Sequence, residues 1–324
     1  MSTSNSKLVR LLGGFVIAIA TGSLQAGDVR DVVVFGDSLS DPGNHFIAFG
    51  ESAERPFEPV PAAPYSVGGH HFSNGKTWIE QLVAGSSAAP SAKPAFGRSP
   101  RASNYAVGRA RARANAADFP LYDLSAQVGL FLADHDGSAP SDDLYVIWIG
   151  SNDVRDALAT IATGGGSVES QLAAQQILGS AVQAIVDNIV AIYASGGRTF
   201  LVVNVPNPAN TPVVRALPPV VQAIATQLSG GFNVAMAQIL GALPQILPGA
   251  DFVALDADAV LTGIIADPAA AGLDDVSSPC LAFGVTPHAI CSNPSSYLFW
   301  DGTHPTSAGH RLVANAAATA LGGQ

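Results

Sequence analysis

Three residues of the kinds that together catalyse acyl transfer stand far apart in this sequence. Ser38 follows an apolar run in "VVVFGDSLSDPGN", and Asp301 and His304 are separated by two residues in "FWDGTHPTSAGH". In a serine-based site a carboxylate holds the Nδ1 side of an imidazole, so that Nε2 can take the proton of the hydroxyl. A turn with this spacing can bring the carboxylate to the ring. Ser38, Asp301 and His304 are therefore candidate catalytic residues.

Simpler interpretations of these residues stay open at the level of sequence. A serine after a strand is often the N-cap of the next helix. Asp301 and His304 can also belong only to the start of the last helix, where Pro305 would take the favoured first helical position. The remaining histidines lack a comparable carboxylate at a strand end, and His310, inside the last helical pattern, is predicted to be structural; they are His45, His70, His71, His135, His288 and His310.

Two other motifs could stabilise the negative oxygen of a tetrahedral intermediate. The backbone amides of Ser38 and of Gly108, in "NYAVGRA", and the side-chain amide of Asn152, in "IWIGSNDV", are candidate oxyanion donors. Taken alone, Gly108 is more often a turn residue and Asn152 a helix cap. Both motifs follow predicted strands, however. In a parallel sheet such strand ends converge on the edge where ligands bind.

The elements that must position these groups alternate between strand and helix. Continuous apolar, β-branched runs indicate strands buried on both faces, hence a parallel sheet covered by helices. The pattern predicts a single three-layer α/β/α domain over residues 27–324. Strands are predicted at 31–36, 144–150, 199–205 and 251–256, with a weaker one at 103–107, and helices at about 76–84, 125–134, 167–195, 218–242 and 306–321.

The first 26 residues resemble an export signal. Lys7 and Arg10 precede the apolar run 11–20, and small and polar residues follow up to Ala26, the predicted cleavage site. A membrane anchor is the alternative, but the run has about half of the roughly 20 residues that a spanning helix needs. We therefore expect a secreted or periplasmic protein.

Charge and cysteine content narrow the function further. The net charge of −10 does not suit a polyanion such as nucleic acid, and "GRARAR" is too short a basic run, predicted to form local salt bridges. Cys280 and Cys291, the two cysteines, are predicted to form a disulfide in an exported protein. A metal site is the weaker alternative, because the spacing is not CxxC. The aromatic stretch 42–75 is either a functional loop or a packed surface loop.

Four of these motifs, in order, resemble the sequence blocks of the GDSL lipases and esterases, or SGNH hydrolases. The blocks are "GDSLSD" at 36–41, the glycine of "NYAVGRA", "GSND" at 150–153 and "DGTHPT" at 301–306. The stretches "HFSNGKTWIEQL" at 71–82 and "LSAQVGLFL" at 124–132 also resemble the secreted bacterial lecithinase/hemolysin-like branch. An ordinary α/β-hydrolase is excluded, since no G-x-S-x-G elbow occurs.

The resemblance implies a flavodoxin-like parallel sheet of about five strands and an ester hydrolase that needs no metal or cofactor. Ser38 would be the nucleophile, His304 the base and Asp301 its partner, with Ser38, Gly108 and Asn152 as oxyanion donors. The expected substrate is a small-molecule or lipid ester, with transient contact with lipid surfaces. Acyl transfer, sugar deacetylation and a non-catalytic cell-surface binding module are the alternatives. Many relatives carry glycine where this chain has Arg109.

Overall fold

Four parallel strands form the central sheet. The computed structural model describes residues 29–50, 69–114, 122–281 and 290–322. The strands pair in the order β1-β2-β3-β4, all parallel. They are β1 (Val32–Gly36), β2 (Leu144–Trp148), β3 (Thr199–Val203) and β4 (Asp251–Leu255). Four predicted runs are thus confirmed as strands of one parallel sheet.

The fifth predicted run, 103–107, lies along the outer edge of β1 without forming a regular strand. The Val34 N–H donates to the Ser103 carbonyl at 3.0 Å, and the Tyr105 N–H donates to the Val34 carbonyl at 2.8 Å. One bond of the ladder is missing, because the Gly36 N–H donates to the Gln127 side chain at 2.9 Å. The Val107 N–H then donates to the Gly36 carbonyl at 3.2 Å. The expected sheet of about five strands is therefore four regular strands plus this edge segment, in the flavodoxin-like order.

Helices cover both faces of the sheet and confirm the three-layer architecture. In chain order the described helices are α1 (Asn44–Phe49), α2 (Trp78–Leu82), α3 (Leu124–Asp134), α4 (Ser151–Thr163), α5 (Val168–Ala194), α6 (Pro212–Arg215), α7 (Pro219–Ile246), α8 (Ala257–Ala266) and α9 (Ser307–Ala320). On one face α3, α4, α5 and α7 share a hydrophobic cluster with Val33 and Phe35; on the other α2, α8 and α9 share one with Val32 and Val34.

The longest predicted helix, 167–195, is α5, and its N-cap Ser167 accepts the Ser170 N–H. Among the described residues α5 is also the one helix long and apolar enough to cross a membrane by length and composition. Its buried apolar residues, among them Ile185 and Ile189, belong to the core on one face of the sheet. We therefore assign α5 to a helical layer of the domain.

A second, two-stranded sheet leads into the Asp301 segment and was not predicted. It consists of β5 (Asp275–Pro279) and β6 (Tyr297–Phe299). Cys280 follows β5 and is bonded to Cys291, which confirms the disulfide. The Cys280 N–H donates to the Phe299 carbonyl at 3.0 Å, so the disulfide is tied to the backbone just before Asp301.

Three sequence-based predictions lie outside the described residues. They are the export signal at 1–26, residues 51–68 of the aromatic stretch 42–75, and His288. The described start of that stretch contains α1, a helix that the sequence did not predict.

Candidate active site

Asp301 and His304 meet in a turn that the carboxylate itself organises. Asp301 Oδ1 accepts the backbone N–H groups of Thr303 and His304, each at 2.7 Å. Asp301 Oδ2 lies 2.8 Å from His304 Nδ1, and both side chains are buried. A carboxylate next to Nδ1 fixes the proton on that nitrogen, so Nε2 is left as an acceptor.

The Ser38 hydroxyl reaches this acceptor from the far end of the chain. Ser38 Oγ lies 2.8 Å from His304 Nε2, although 266 residues separate them. Ser38 lies in the turn after β1, and the next helix begins only at Asn44, so Ser38 is not a helix N-cap. The fold therefore brings the three predicted catalytic side chains into one hydrogen-bonded line.

The prediction that Pro305 opens the last helix is wrong. Helix α9 begins at Ser307, and the hydroxyl of its N-cap Thr306 accepts the Gly309 N–H. Pro305 lies before the cap and forms a bridge with Phe299 instead. Asp301 and His304 consequently precede the helix and belong to a separate turn.

Asn152 lies just after the carboxyl end of β2, and one of its two side-chain N–H groups is already hydrogen-bonded. It sits in the first turn of α4, whose N-cap is Gly150, so the alternative that Asn152 is a cap does not hold. One side-chain N–H donates to the Ala110 carbonyl at 2.9 Å. Since an amide carries two N–H groups, the second remains available to a substrate oxygen.

Gly108 is placed differently from the other candidate donors. Its N–H donates to Asp41 Oδ2 at 2.7 Å. The Asp41 carboxylate also accepts the N–H groups of Gly43, Asn44 and His45, while burial raises its pKa to about 6. To bind a substrate oxygen, the Gly108 N–H would have to be shared with Asp41 or move away from it.

The position of Gly108 also explains why it is glycine. A Cβ there would lie 2.2 Å from two ring carbons of Phe72, far inside van der Waals contact. Gly150 is required for another reason: its φ is 123°, a backbone conformation that residues with a Cβ rarely adopt. Both glycines thus let backbone approach the site where a side chain would not fit.

The arginines of "GRARAR" confirm the predicted local salt bridges. Arg111 pairs with Asp156 at 3.0 Å, and Arg113 pairs with Asp153 at 2.7 Å. These pairs fasten the segment after Gly108 to α4, the helix that carries Asn152. Arg109 adopts a left-handed backbone conformation with φ of 71°.

Two further buried titratable groups, Asp37 and His310, lie near the candidate triad. Burial raises the pKa of Asp37 to about 7, and Asp37 Oδ2 has no hydrogen-bond partner in the described part of the chain. Burial lowers the pKa of His310 to about 3, with repulsion from His304 and His71 as the smaller causes. Neither ring nitrogen of His310 has a hydrogen-bond partner among the described residues.

Comparison with known proteins identifies the family. The family model described as "GDSL-like Lipase/Acylhydrolase" matches residues 32–317. The chain belongs to this family. The resemblance seen in the four motifs is thereby confirmed, and the GDSL motif is the one that carries Ser38.

Relatives of this GDSL chain come from plants and bacteria. It is 32% identical over 176 residues to GDSL esterase/lipase At1g73610 of Arabidopsis thaliana, covering 54% of this chain and 49% of that protein. The match thus spans about half the length of that relative. The chain is 26% identical over 355 residues to a phosphatidylcholine-sterol acyltransferase of Aeromonas hydrophila, covering 95% of this chain and 96% of that protein.

Sequence analysis missed residues that shape the GDSL site without being candidates for chemistry. Asp41 closes the motif "GDSLSD" but received no role, although an Asp followed by Pro-Gly-Asn is a signal for side-chain bonds to nearby backbone. Phe72 and Ser73 stand in a motif noted only for its resemblance. Their roles depend on contacts between distant segments, which no local pattern encodes.

The role of the Asn152 amide as an oxyanion donor can be tested by substitution, with a buried asparagine away from the site as the control. Asn152→Ala is expected to lower kcat by about 10²–10³, because a donor to the developing oxyanion is lost. Asn188→Ala is the matched control, since Asn188 is buried and bonded to Ser125 away from the site. If Asn152→Ala lowers kcat for ester hydrolysis by less than about threefold, the amide is not an oxyanion donor and serves only to bind the Ala110 carbonyl.

His310 is expected to make the protein sensitive to acid. Its folded-state pKa of about 3 lies below the ordinary value of 6.5, so its contribution is fully present above pH 6.5 and is lost as pH falls towards 3. His310→Leu should reduce the drop in unfolding free energy between pH 7 and pH 5 by about 2 kcal/mol, measured by urea denaturation. Val313→Ala, a buried neighbour on α9, should lower stability equally at both pH values. An unchanged drop in His310→Leu would contradict this assignment.

Proposed function

We propose that this protein is a serine ester hydrolase with Ser38 as nucleophile, His304 as general base and Asp301 as the group that orients the imidazole. The observation that carries the proposal is the Asp301–His304–Ser38 line, with both hydrogen bonds at 2.8 Å. Membership of the GDSL lipase and acylhydrolase family supports it. A non-catalytic binding module would have no need to keep this line intact.

The mechanism runs through an acyl-enzyme. His304 Nε2 takes the Ser38 proton while Oγ attacks the ester carbonyl, and the tetrahedral oxyanion forms. The Ser38 N–H and the second Asn152 N–H stabilise that oxygen, and Gly108 assists where its N–H is shared with Asp41. His304 then gives the proton to the leaving alcohol, and a water activated by the same imidazole releases the acid.

The proposed substrate is an ester with an apolar acyl group. Helix α1 starts beside the site, where its His45 ring lies 5.3 Å from the Phe72 ring, and its Ile47 and Phe49 are close to half exposed. Exposed apolar side chains beside a reactive centre favour acyl chains over sugars. This surface would also permit transient contact with lipid. The relative named phosphatidylcholine-sterol acyltransferase is consistent with a lipid ester.

We further propose that residues 27–324 act as one catalytic domain outside the cytoplasm. The Cys280–Cys291 disulfide supports this, because structural disulfides persist in oxidising compartments. The signal-like pattern of residues 1–26 agrees with it. Periplasm and external medium are both compatible with these two observations.

Acyl transfer is the second candidate, favoured by the match to the Aeromonas acyltransferase over 95% of this chain. In transfer the acyl-enzyme is attacked by an alcohol in place of water. We expect the free acid to be the main product when the protein cleaves a p-nitrophenyl ester in the presence of millimolar primary alcohol, measured by chromatography. If the alcohol ester predominates, the protein is a transferase and the hydrolytic proposal fails.

The nucleophile is tested by exchanging the two serines of "GDSLSD" separately. Ser38→Ala should lower hydrolysis of a p-nitrophenyl ester by more than about 10⁴-fold with an unchanged circular dichroism spectrum. Ser40→Ala is the matched control: Ser40 is buried, and its Oγ accepts the Trp78 indole N–H at 3.0 Å. That variant should keep most of the activity. Retained turnover by folded Ser38→Ala would refute the assignment of the nucleophile.

A further inference from the structure

The segment "HFSNG", residues 71–75, crosses the site and touches it at several points. The motif has no part in the proton transfers described above, and its residues lie far in sequence from both Ser38 and His304. Three successive side chains, Phe72, Ser73 and Asn74, contact either the His304 turn or the backbone just after it. Such a run of contacts on one loop calls for a functional explanation.

Phe72 lies between the proposed base and the Gly108 backbone. Its ring centroid is 5.3 Å from that of the His304 imidazole, at an interplanar angle of 43°. The same ring occupies the space beside the Gly108 Cα: a Cβ on Gly108 would lie 2.2 Å from two of the ring carbons. One aromatic ring thus limits how the imidazole can tilt and how the Gly108 backbone can move.

Ser73 and Asn74 hold the backbone on the other side of His304. Ser73 is fully buried, and its Oγ donates to the Pro305 carbonyl at 2.9 Å. Asn74 Oδ1 accepts the N–H of Ser307, the first residue of α9, at 2.7 Å. Since Asp301 fixes the turn before His304, these two bonds fix the residues after it.

Phe72 is buried, yet among the described residues it belongs to neither hydrophobic cluster that flanks the sheet. Its ring neighbours in the described part of the chain include the imidazoles of His45 and His304. A phenylalanine that served only to build the core would be expected within those clusters, as Phe131 is. The surroundings of Phe72 therefore favour a role at the site over general packing.

We propose that residues 72–74 are positioning residues for the proposed base, holding the His304 imidazole at hydrogen-bond distance from Ser38. The inference rests on the proposed function, because it assigns a role relative to that nucleophile and base. The reaction rate depends strongly on the distance between the reacting groups: a displacement of about 1 Å can lower the rate by about 10²-fold. Loosening the segment should therefore slow the chemical step more than it weakens substrate binding.

The test compares two variants of the segment with two matched controls. Phe72→Leu and Ser73→Ala loosen the two sides of the His304 turn. Phe131→Leu removes the same atoms from a buried phenylalanine in the core. Ser91→Ala removes a buried hydroxyl that donates to the Ala88 carbonyl; it lies near the start of β1, whereas Ser38 follows the end of that strand. For each we would measure kcat and KM with a short-chain p-nitrophenyl ester, together with the thermal unfolding midpoint.

We expect kcat to fall by about 10- to 100-fold in Phe72→Leu and Ser73→Ala, with KM within about twofold of the parent. The controls should lose similar thermal stability and keep kcat. The inference is overturned if both segment variants keep kcat within about twofold, or if a control of equal stability loses as much kcat. Ser38→Ala distinguishes this from failure of the proposed function: if Ser38→Ala is inactive while Phe72→Leu and Ser73→Ala are both unaffected, only the positioning role is rejected.

Discussion

The site depends on one buried carboxylate, that of Asp301. Its two oxygens accept three N–H groups: two from the backbone of Thr303 and His304 and one from the imidazole. The backbone bonds build the turn, and the imidazole bond sets which ring nitrogen faces Ser38. Because the carboxylate is buried, these bonds are not exchanged with water, so conformation and tautomer are fixed by the same group.

A second carboxylate, that of Asp41, organises the opposite side of the site in a similar way. It accepts the backbone N–H groups of residues 43–45 and of Gly108. These bonds connect the segment that follows β1 to the end of the edge segment beside it. Arg111 and Arg113 fasten the next residues to α4. The strand ends thus carry the candidate groups, and buried polar bonds between neighbouring loops set their spacing.

The sequence predicts the parallel sheet and the candidate triad because both have local signals. Apolar runs mark β1 to β4, and Ser38, Asp301 and His304 stand in recognisable turns. Three features had no such signal. The edge segment at 103–107 is not a regular strand, and one bond of its ladder with β1 is replaced by a bond to Gln127, a residue of a distant helix. Pro305 is displaced from the helix start because Thr306 caps α9. The contact between Phe72 and His304 arises only when distant loops meet.

The account's central claim is that the turn set by Asp301 activates the Ser38 hydroxyl through His304. The most direct measurement is the rate at which a fluorophosphonate forms a covalent adduct, with the modified residue located by peptide mass mapping. The account predicts rapid single modification at Ser38 in the parent, and slow modification in both His304→Ala and Asp301→Ala. Modification at another residue, or an equal rate at Ser38 in His304→Ala, would contradict it.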